Sequence, residues 1–195
     1  MATYILFKSD SNNSLTFAPS EGANLIIDQD SREIWRVEAP TWEIACLKKN
    51  EFLSWEPYKP QINSADDLLT FLPRNKHDFD NVQLLINLGF PTIQPIIPKL
   101  LEWLQDVNWP VARAILPFLA TIGSNCRDDV QTVLRSHDGI WKYWIISELI
   151  NRMDDNEALM YVPDLRNLMA NLTPDDRENE VDLAALAILK KLNIS

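Results

Sequence analysis

The sequence contains few of the residues on which most catalytic and metal-binding sites depend. Its 195 residues include two histidines, two cysteines and four glycines. His77 and His137 have no cysteine or carboxylate neighbours at metal-ligand spacing, which predicts two exposed loop histidines. The glycines lie singly at positions 22, 89, 123 and 139, which excludes a glycine-rich phosphate-binding loop. We therefore predict no catalytic residue, no metal site and no cofactor.

The sequence also lacks recognisable targeting and membrane segments. The first eight residues have neither the basic start nor the long apolar stretch of a signal peptide. No apolar run approaches the roughly 18 residues needed to span a bilayer. Cys46 and Cys126 lie far apart with no motif around them, which favours reduced, buried thiols over a disulfide. Together these features predict a cytoplasmic protein.

Positive charge is scarce: 18 basic residues stand against 28 acidic ones, and the net charge is −10. The acidity is spread along the chain, with six basic against nine acidic residues in 1–60 and twelve against nineteen in 61–195. Such a field repels nucleic-acid phosphates and anionic membranes, and it attracts a basic partner. Simple solubility is the alternative explanation. We predict a basic protein partner, no nucleic acid and no membrane binding.

The first forty residues contain short β-branched or aromatic runs separated by polar turns, which predicts strands. The predicted strands are Thr3–Phe7, Leu15–Phe17, Asn24–Ile27 and Glu33–Val37. Pro40 and Thr41 then open a helix whose apolar face is interrupted by Lys49. Residues 1–60 therefore read as a small β-meander with one helix. The proline-bounded segment 56–60 marks the predicted domain boundary.

Residues 61–195 carry helical periodicity throughout. We predict helix starts at Ser64, Asp78 and Pro110, and helix ends at Gly89 and Gly123. Further helices are predicted at about 127–135, 140–153 and 157–170 from the spacing of apolar positions, and a last one is predicted to start at Thr173-Pro174. Short connections favour antiparallel hairpins that share a core. The predicted class is α+β overall and mainly α.

Three motifs in order resemble the bacterial family known as domain of unknown function 5071. They are Leu-Pro-Arg-Asn-Lys-His-Asp-Phe at 72–79, Leu-Glu-Trp-Leu-Gln-Asp-Val-Asn-Trp-Pro-Val-Ala at 101–112, and Asp-Gly-Ile-Trp-Lys-Tyr-Trp-Ile at 138–145. The resemblance covers residues 65–192 and leaves 1–60 unmatched. It implies a HEAT-like α-α helical array with no established reaction. Small acidic arrays of this kind often accompany bacterial toxins as immunity proteins.

Tryptophans in these motifs are the leading candidates for partner contacts. Winding the 140–153 helix at 100° per residue places Trp141 and Trp144 on the side of Glu148 and Arg152. Two interpretations remain open: the indoles pack against the preceding hairpin, or they form binding anchors beside charged groups. Trp109 is a further candidate.

Lys142 falls within the apolar arc of the same helix, and an ammonium there must reach solvent or a carboxylate. It could form a structural salt bridge with Asp106 or Asp138. It could instead belong to a functional pocket with Asp106, Asn108 and Tyr143, or it could be an exposed lysine without a role.

Two functional classes compete. The leading hypothesis is a protein-binding module, and specifically an immunity protein that neutralises a toxin by covering its basic surface. An adaptor or chaperone for an effector is hard to separate from it by sequence. The other class is an array enzyme such as a DNA glycosylase, with Trp109, Trp141 and Asp138 in a cleft. The shortage of basic residues disfavours that enzyme, because DNA binding depends on cations that release counterions.

Overall fold

The computed structural model of the chain describes residues 1–194, which form two compact units, Met1–Gln61 and the residues from Ile62 onward. A small antiparallel sheet and one helix make up the first unit, and the second is helical. The predicted class, α+β and mainly α, is confirmed.

Three antiparallel strands form the sheet of the first unit, in the order β2-β1-β3. They are β1 (Ala2–Ser9), β2 (Leu15–Pro19) and β3 (Ser31–Ala39). Leu6 of the central strand lies opposite Phe17 on one side and Trp35 on the other. Because side chains alternate across a strand, these three share one apolar face of the sheet. Three of the four predicted strands are thus present.

The fourth predicted strand, Asn24–Ile27, is wrong. A 3₁₀ turn, Ala23–Leu25, occupies this position instead. Gly22 adopts a left-handed conformation with φ of 81°, and its carbonyl oxygen accepts a hydrogen bond from the Leu25 N–H. The turn leaves Leu25 and Ile26 mostly exposed. The apolar run predicted a strand, but hydrogen bonds within the turn satisfy the backbone there, so this segment pairs with no strand.

Helix α1 (Trp42–Phe52) begins where the sequence predicts, because the Thr41 hydroxyl accepts a hydrogen bond from the Ile44 N–H at 3.3 Å. Aromatic rings join the helix to the sheet: Trp42 lies 5.2 Å from Phe17, and Phe52 stacks on Trp35 at 5.0 Å. Lys49, which interrupts the apolar pattern, lies over the ring of Phe17 at 5.4 Å and over that of Trp55 at 5.2 Å. A cation–π contact thus explains the lysine on this face.

The second unit contains ten α-helices within its described residues. They are α2 (Ala65–Thr70), α3 (Phe79–Leu88), α4 (Ile97–Glu102), α5 (Pro110–Ile122), α6 (Arg127–Leu134), α7 (Gly139–Trp144), α8 (Asp155–Leu159), α9 (Val162–Ala170), α10 (Pro174–Glu178) and α11 (Val181–Lys191). A π-helical segment, Ile145–Ile150, continues α7. Three 3₁₀ turns complete the unit: Gln94–Ile96, Trp103–Gln105 and Gly123–Cys126.

The predicted helix ends agree with the structure at each of five positions. Ser64 and Asp78 accept hydrogen bonds from the third backbone N–H of α2 and α3, and Gly89 ends α3. Pro110 is the first residue of α5, and Gly123 follows its last. Ser64 and Asp78 each satisfy a backbone N–H that a helix start leaves unpaired, and Pro110 has no N–H to satisfy.

Two predicted helices are each interrupted. The segment predicted as 157–170 divides into α8 and α9, and Pro163 lies in the first turn of α9. The predicted last helix divides into α10 and α11 because Glu180 adopts a left-handed conformation with φ of 57°. The apolar period continues across both breaks, so periodicity alone could not detect them.

Helix α5 lies centrally in the second unit, in contact with α3 and with the π-helical segment. Its buried side includes Val111, Ile115 and Leu119, while Pro117 lies on the exposed side. Helix α11 contacts both the π-helical segment and α9. The helices thus share one apolar core, as stacked hairpins do. The HEAT-like order of these pairs stays a prediction.

The start of α7 is packed tightly against α10. The Gly139 N–H donates to Asp175 Oδ2 at 2.6 Å, and a Cβ at this glycine would lie 2.6 Å from the same oxygen and 2.8 Å from the Asp175 carbonyl oxygen.

We expect Gly139→Ala to lower the free energy of unfolding by about 1–3 kcal/mol, because the added methyl group forces the two helices apart. Urea denaturation measures this loss. In an Asp175→Ala background the same substitution should cost less, since one of the two clashing oxygens is gone. If the losses of stability from Gly139→Ala and Asp175→Ala are additive in the double variant, the contact between these two residues is contradicted.

Candidate functional site

An open groove of about 400 Å³ lies beside Trp144 in the second unit. We call it the Trp144 groove. Its walls come from α5, the loop before α5, and the helix that continues from α7. The lining residues are Val107, Asn108, Arg113, Leu116, Pro117, Trp144, Glu148 and Arg152. Four of the predicted partner-binding residues, Asn108, Trp144, Glu148 and Arg152, therefore lie around one groove.

The charged groups of the Trp144 groove are held in place by local hydrogen bonds. Arg152 donates to Glu148 Oε2 at 2.8 Å, one helical turn away. Arg113 donates from Nε to the Val107 carbonyl oxygen at 3.2 Å and from a terminal nitrogen to Asn108 Oδ1 at 3.3 Å. A guanidinium has five N–H donors, so both arginines keep donors available for another molecule. The groove thus combines an indole with oriented polar groups.

Trp141 has a different role from Trp144. Its indole Nε1 donates to the Leu101 carbonyl oxygen at 3.1 Å, which joins α7 to the end of α4. Of the two interpretations of the tryptophans, packing against the preceding helix therefore applies to Trp141. Trp144 instead contacts Tyr143 edge-to-face, with ring centroids 5.1 Å apart.

Asp106 and Asp138 both stabilise local backbone turns. Asp106 Oδ1 accepts a hydrogen bond from the Asn108 N–H at 2.9 Å. Asp138 caps α7, because its Oδ1 accepts from the Trp141 N–H at 2.9 Å. These bonds explain the position of each aspartate in its motif without a partner molecule.

The predicted salt bridge of Lys142 with Asp106 or Asp138 is wrong in its partner. The Lys142 ammonium donates to Asp176 Oδ1 at 2.7 Å, and both side chains are almost fully buried. Asp106 and Asp138 are unsuitable because each carboxylate caps its own turn. Lys142 and Asn108 line separate recesses, so the predicted pocket of Lys142, Asp106, Asn108 and Tyr143 is not assembled.

The environment of Asp176 stabilises its charged form. Burial acts to raise the pKa of this carboxyl group, but hydrogen bonds from Lys142 and from the Thr173 N–H outweigh it. The pKa therefore lies below its ordinary value. The Thr173 hydroxyl accepts in turn from the Asp176 N–H at 3.1 Å, which completes a capping box at the start of α10.

The buried ion pair borders a second recess, which we call the Lys142 pocket. Its volume is about 240 Å³, and α6, α7, α9 and α10 supply its walls. The lining residues are Gln131, Leu134, Arg135, Ser136, His137, Lys142, Asp164, Asn167, Leu168, Asn171, Thr173 and Asp176.

Trp109 belongs to a third recess. It lies edge-to-face with Trp103, with ring centroids 5.6 Å apart, and both indoles line an open apolar hollow with Leu72 and Pro73. Six of the ten candidate residues thus line three recesses of the second unit, and the other four, Asp106, Asp138, Trp141 and Tyr143, line none of these three.

Several residues of these recesses were not singled out from the sequence. The sequence gives no signal for the pairing of Asp176, and none for Arg135, Arg113 or Asn167. The Thr173-x-x-Asp176 spacing of a capping box could have fixed the orientation of the carboxylate. Its pairing with a lysine 34 residues earlier could not be read from either segment.

Comparisons with known proteins agree with the motifs. A family model described as "Domain of unknown function (DUF5071)" matches residues 71–189, and the chain belongs to this family. The comparison with curated proteins finds no match. Within residues 1–194, no helix has the length and apolar character to cross a membrane. The same residues contain no group of three or more side chains suited to hold a metal ion.

We expect Lys142→Ala to lower the free energy of unfolding by about 3–5 kcal/mol, because it leaves the Asp176 carboxylate buried without its cation. Urea denaturation followed by circular dichroism measures the change. Lys99→Ala is the control, since it breaks the exposed pair with Glu102 and should cost less than about 1 kcal/mol. The double variant Lys142→Met, Asp176→Leu should recover most of the loss. Equal costs for Lys142→Ala and Lys99→Ala would refute the buried pair.

The lowered pKa of Asp176 predicts an acid-dependent loss of stability. Its carboxylate contributes stability above the unfolded-state pKa of about 3.9, and this contribution is lost as the pH falls through the lower folded-state pKa. Urea midpoints measured from neutral pH downward should therefore fall further for the wild type than for the double variant, which has no carboxylate at position 176. A constant difference between them across this range would show that Asp176 does not titrate as proposed.

Proposed function

We propose that the protein is a protein-binding module and acts as an immunity protein, which neutralises a bacterial toxin by direct binding. The observation that carries this proposal is the Trp144 groove, which an indole and oriented charged groups line on an acidic helical unit. The same surface would serve an adaptor for an effector, and the experiment below separates the two functions.

The groove has the composition of a protein interface. Tryptophan and arginine are the residues most enriched among energetically dominant contacts, and they act best when polar groups surround them and exclude water. Trp144 is half-buried and lines the groove together with Glu148 and the aliphatic side chains of Val107 and Leu116. A partner side chain placed there would cover the indole and meet the free donors of Arg113 and Arg152.

The net negative charge of the helical unit favours a basic partner, whereas the groove itself carries two arginines and one glutamate. Asp128 and Asp129 begin α6, and three further acids, Asp154, Asp155 and Glu157, lie at the start of α8. Both helix starts adjoin the 3₁₀ turn Gly123–Cys126. Burial, followed by the negative charge of Asp128, raises the pKa of Asp129, so an approaching cation would relieve an existing repulsion. Opposite charge on a toxin would steer its association.

The test uses the purified product of the neighbouring reading frame as the candidate toxin. Calorimetry should detect a complex, and co-expression should restore growth of cells that produce the toxin. Binding without loss of toxin activity would replace immunity by the adaptor function. Absence of binding by both neighbouring gene products would contradict the proposal.

We expect Trp144→Ala to weaken binding by about 2 kcal/mol or more, roughly a 30-fold rise in Kd, because truncation removes the anchor. Phe79→Ala is the matched control: this ring is exposed on the same unit but lies outside the groove, and its loss should leave Kd unchanged. Circular dichroism must first show that both variants are folded. An unchanged Kd for folded Trp144→Ala would remove Trp144 from the interface.

The charge argument predicts a further pair of results. The association rate with the partner should fall as salt rises, because counterions screen the steering field. The wild type should show no submicromolar binding to DNA or RNA at about 150 mM salt, because its acidic surface repels phosphates. Surface plasmon resonance measures both, and tight nucleic-acid binding at that salt would overturn the argument.

A further inference from the structure

We propose that the Lys142 pocket binds a small oxyanion, namely a carboxylate or phosphate group of a small molecule. The pocket lies outside the Trp144 groove, and the proposal is independent of the protein-binding function. It depends on which hydrogen-bonding groups in the pocket remain available.

The floor of the pocket offers unused donors on a buried cation. Lys142 is 3% exposed, and its ammonium can donate three hydrogen bonds. Among residues 1–194 it donates to Asp176 alone. The acceptor capacity of Asp176 is partly used, because one of its oxygens accepts from Lys142 and the other from the Thr173 N–H. A ligand at the floor therefore meets an ammonium with two free N–H groups.

The wall of the pocket adds a cation without a carboxylate partner. Asp164 is engaged by Arg127 at 3.2 Å and by Gln131 at 2.9 Å. Arg135 makes no ion pair with any carboxylate of residues 1–194, and its side chain donates one hydrogen bond there, to Gln131 Oε1 at 3.4 Å. The lining carries two cations, Lys142 and Arg135, and two carboxylates, Asp164 and Asp176, so its formal charge is zero. Both carboxylates are paired, with Arg127 and Lys142, whereas Arg135 is not, so the unpaired charge of the lining is positive.

The neutral lining also favours an acceptor-rich ligand. Asn171 donates to Asn167 Oδ1 at 3.1 Å, which uses the acceptor of Asn167 and leaves its amide N–H groups free. Amide and ammonium donors that line one pocket suit carboxylate or phosphate oxygens. A volume of about 240 Å³ is smaller than the 300–1,000 Å³ of most drug-sized sites, so the ligand is a small anion.

The experiment titrates the whole protein with sodium phosphate and, separately, with sodium succinate, at ionic strength held constant with sodium chloride. Nitrogen-15 correlation spectra report the side-chain amides of Gln131, Asn167 and Asn171. We expect saturable shifts of these signals with a Kd of about 1 mM or tighter for at least one anion. A response to phosphate alone assigns a phosphate ligand, and a response to succinate alone assigns a carboxylate. No saturable response to either would overturn the proposal.

Variants separate a built site from a general charge effect. Arg135→Gln and Asn167→Leu alter exposed positions, so both should fold, and each should weaken binding at least tenfold because a donor is lost. Lys190→Gln removes an equal charge from an exposed position of α11, outside the pocket, and should leave Kd unchanged. Equal weakening by Lys190→Gln, or none by the two pocket variants, would refute the site. Toxin binding can fail or succeed without affecting these results.

Discussion

The buried ion pair between Lys142 and Asp176 is the constraint around which the C-terminal half of the helical unit is arranged. Two charges removed from water are tolerable only when each is neutralised and hydrogen-bonded, and loss of either partner leaves a costly charge behind. Lys142 lies in α7 and Asp176 in α10, so the pair holds together helices that are far apart in sequence. The capping box at Thr173 and the Gly139–Asp175 bond fix the orientation of the two helices around it.

The position of α7 in turn determines which aromatic side chains reach the surface. On the α4 side, Trp141 is held by its bond to the Leu101 carbonyl oxygen. Three residues further on, Trp144 lies in a groove with Glu148 and Arg152. Trp144 ends α7, Glu148 lies within the π-helical segment Ile145–Ile150 and Arg152 follows it, so the wider turn changes the side on which Glu148 and Arg152 project. Such segments are concentrated at functional sites in other proteins.

Local signals in the sequence were sufficient for most elements, because caps, glycines and prolines act within one helical turn. Ser64, Asp78, Pro110 and Gly123 mark ends that the structure has. Breaks at Pro163 and Glu180 escaped prediction because the apolar period continues through them. The partner of Lys142 also escaped, because its apolar surroundings demanded a carboxylate without specifying which of nineteen acids in residues 61–195 supplies it. Tertiary packing of α7 against α10 determines that the partner is Asp176.

The run Trp141-Lys142-Tyr143-Trp144 shows why one short motif serves several purposes. Successive residues of an α-helix point about 100° apart, so Lys142 and Trp144, two positions apart, face nearly opposite sides. One side is buried against α10 and borders the Lys142 pocket, and the other faces α5 and the Trp144 groove. Trp141 ties the same turn to α4. A family motif of this kind therefore combines residues that stabilise the fold with a residue available to a partner, and substitution of each one tests a separate role.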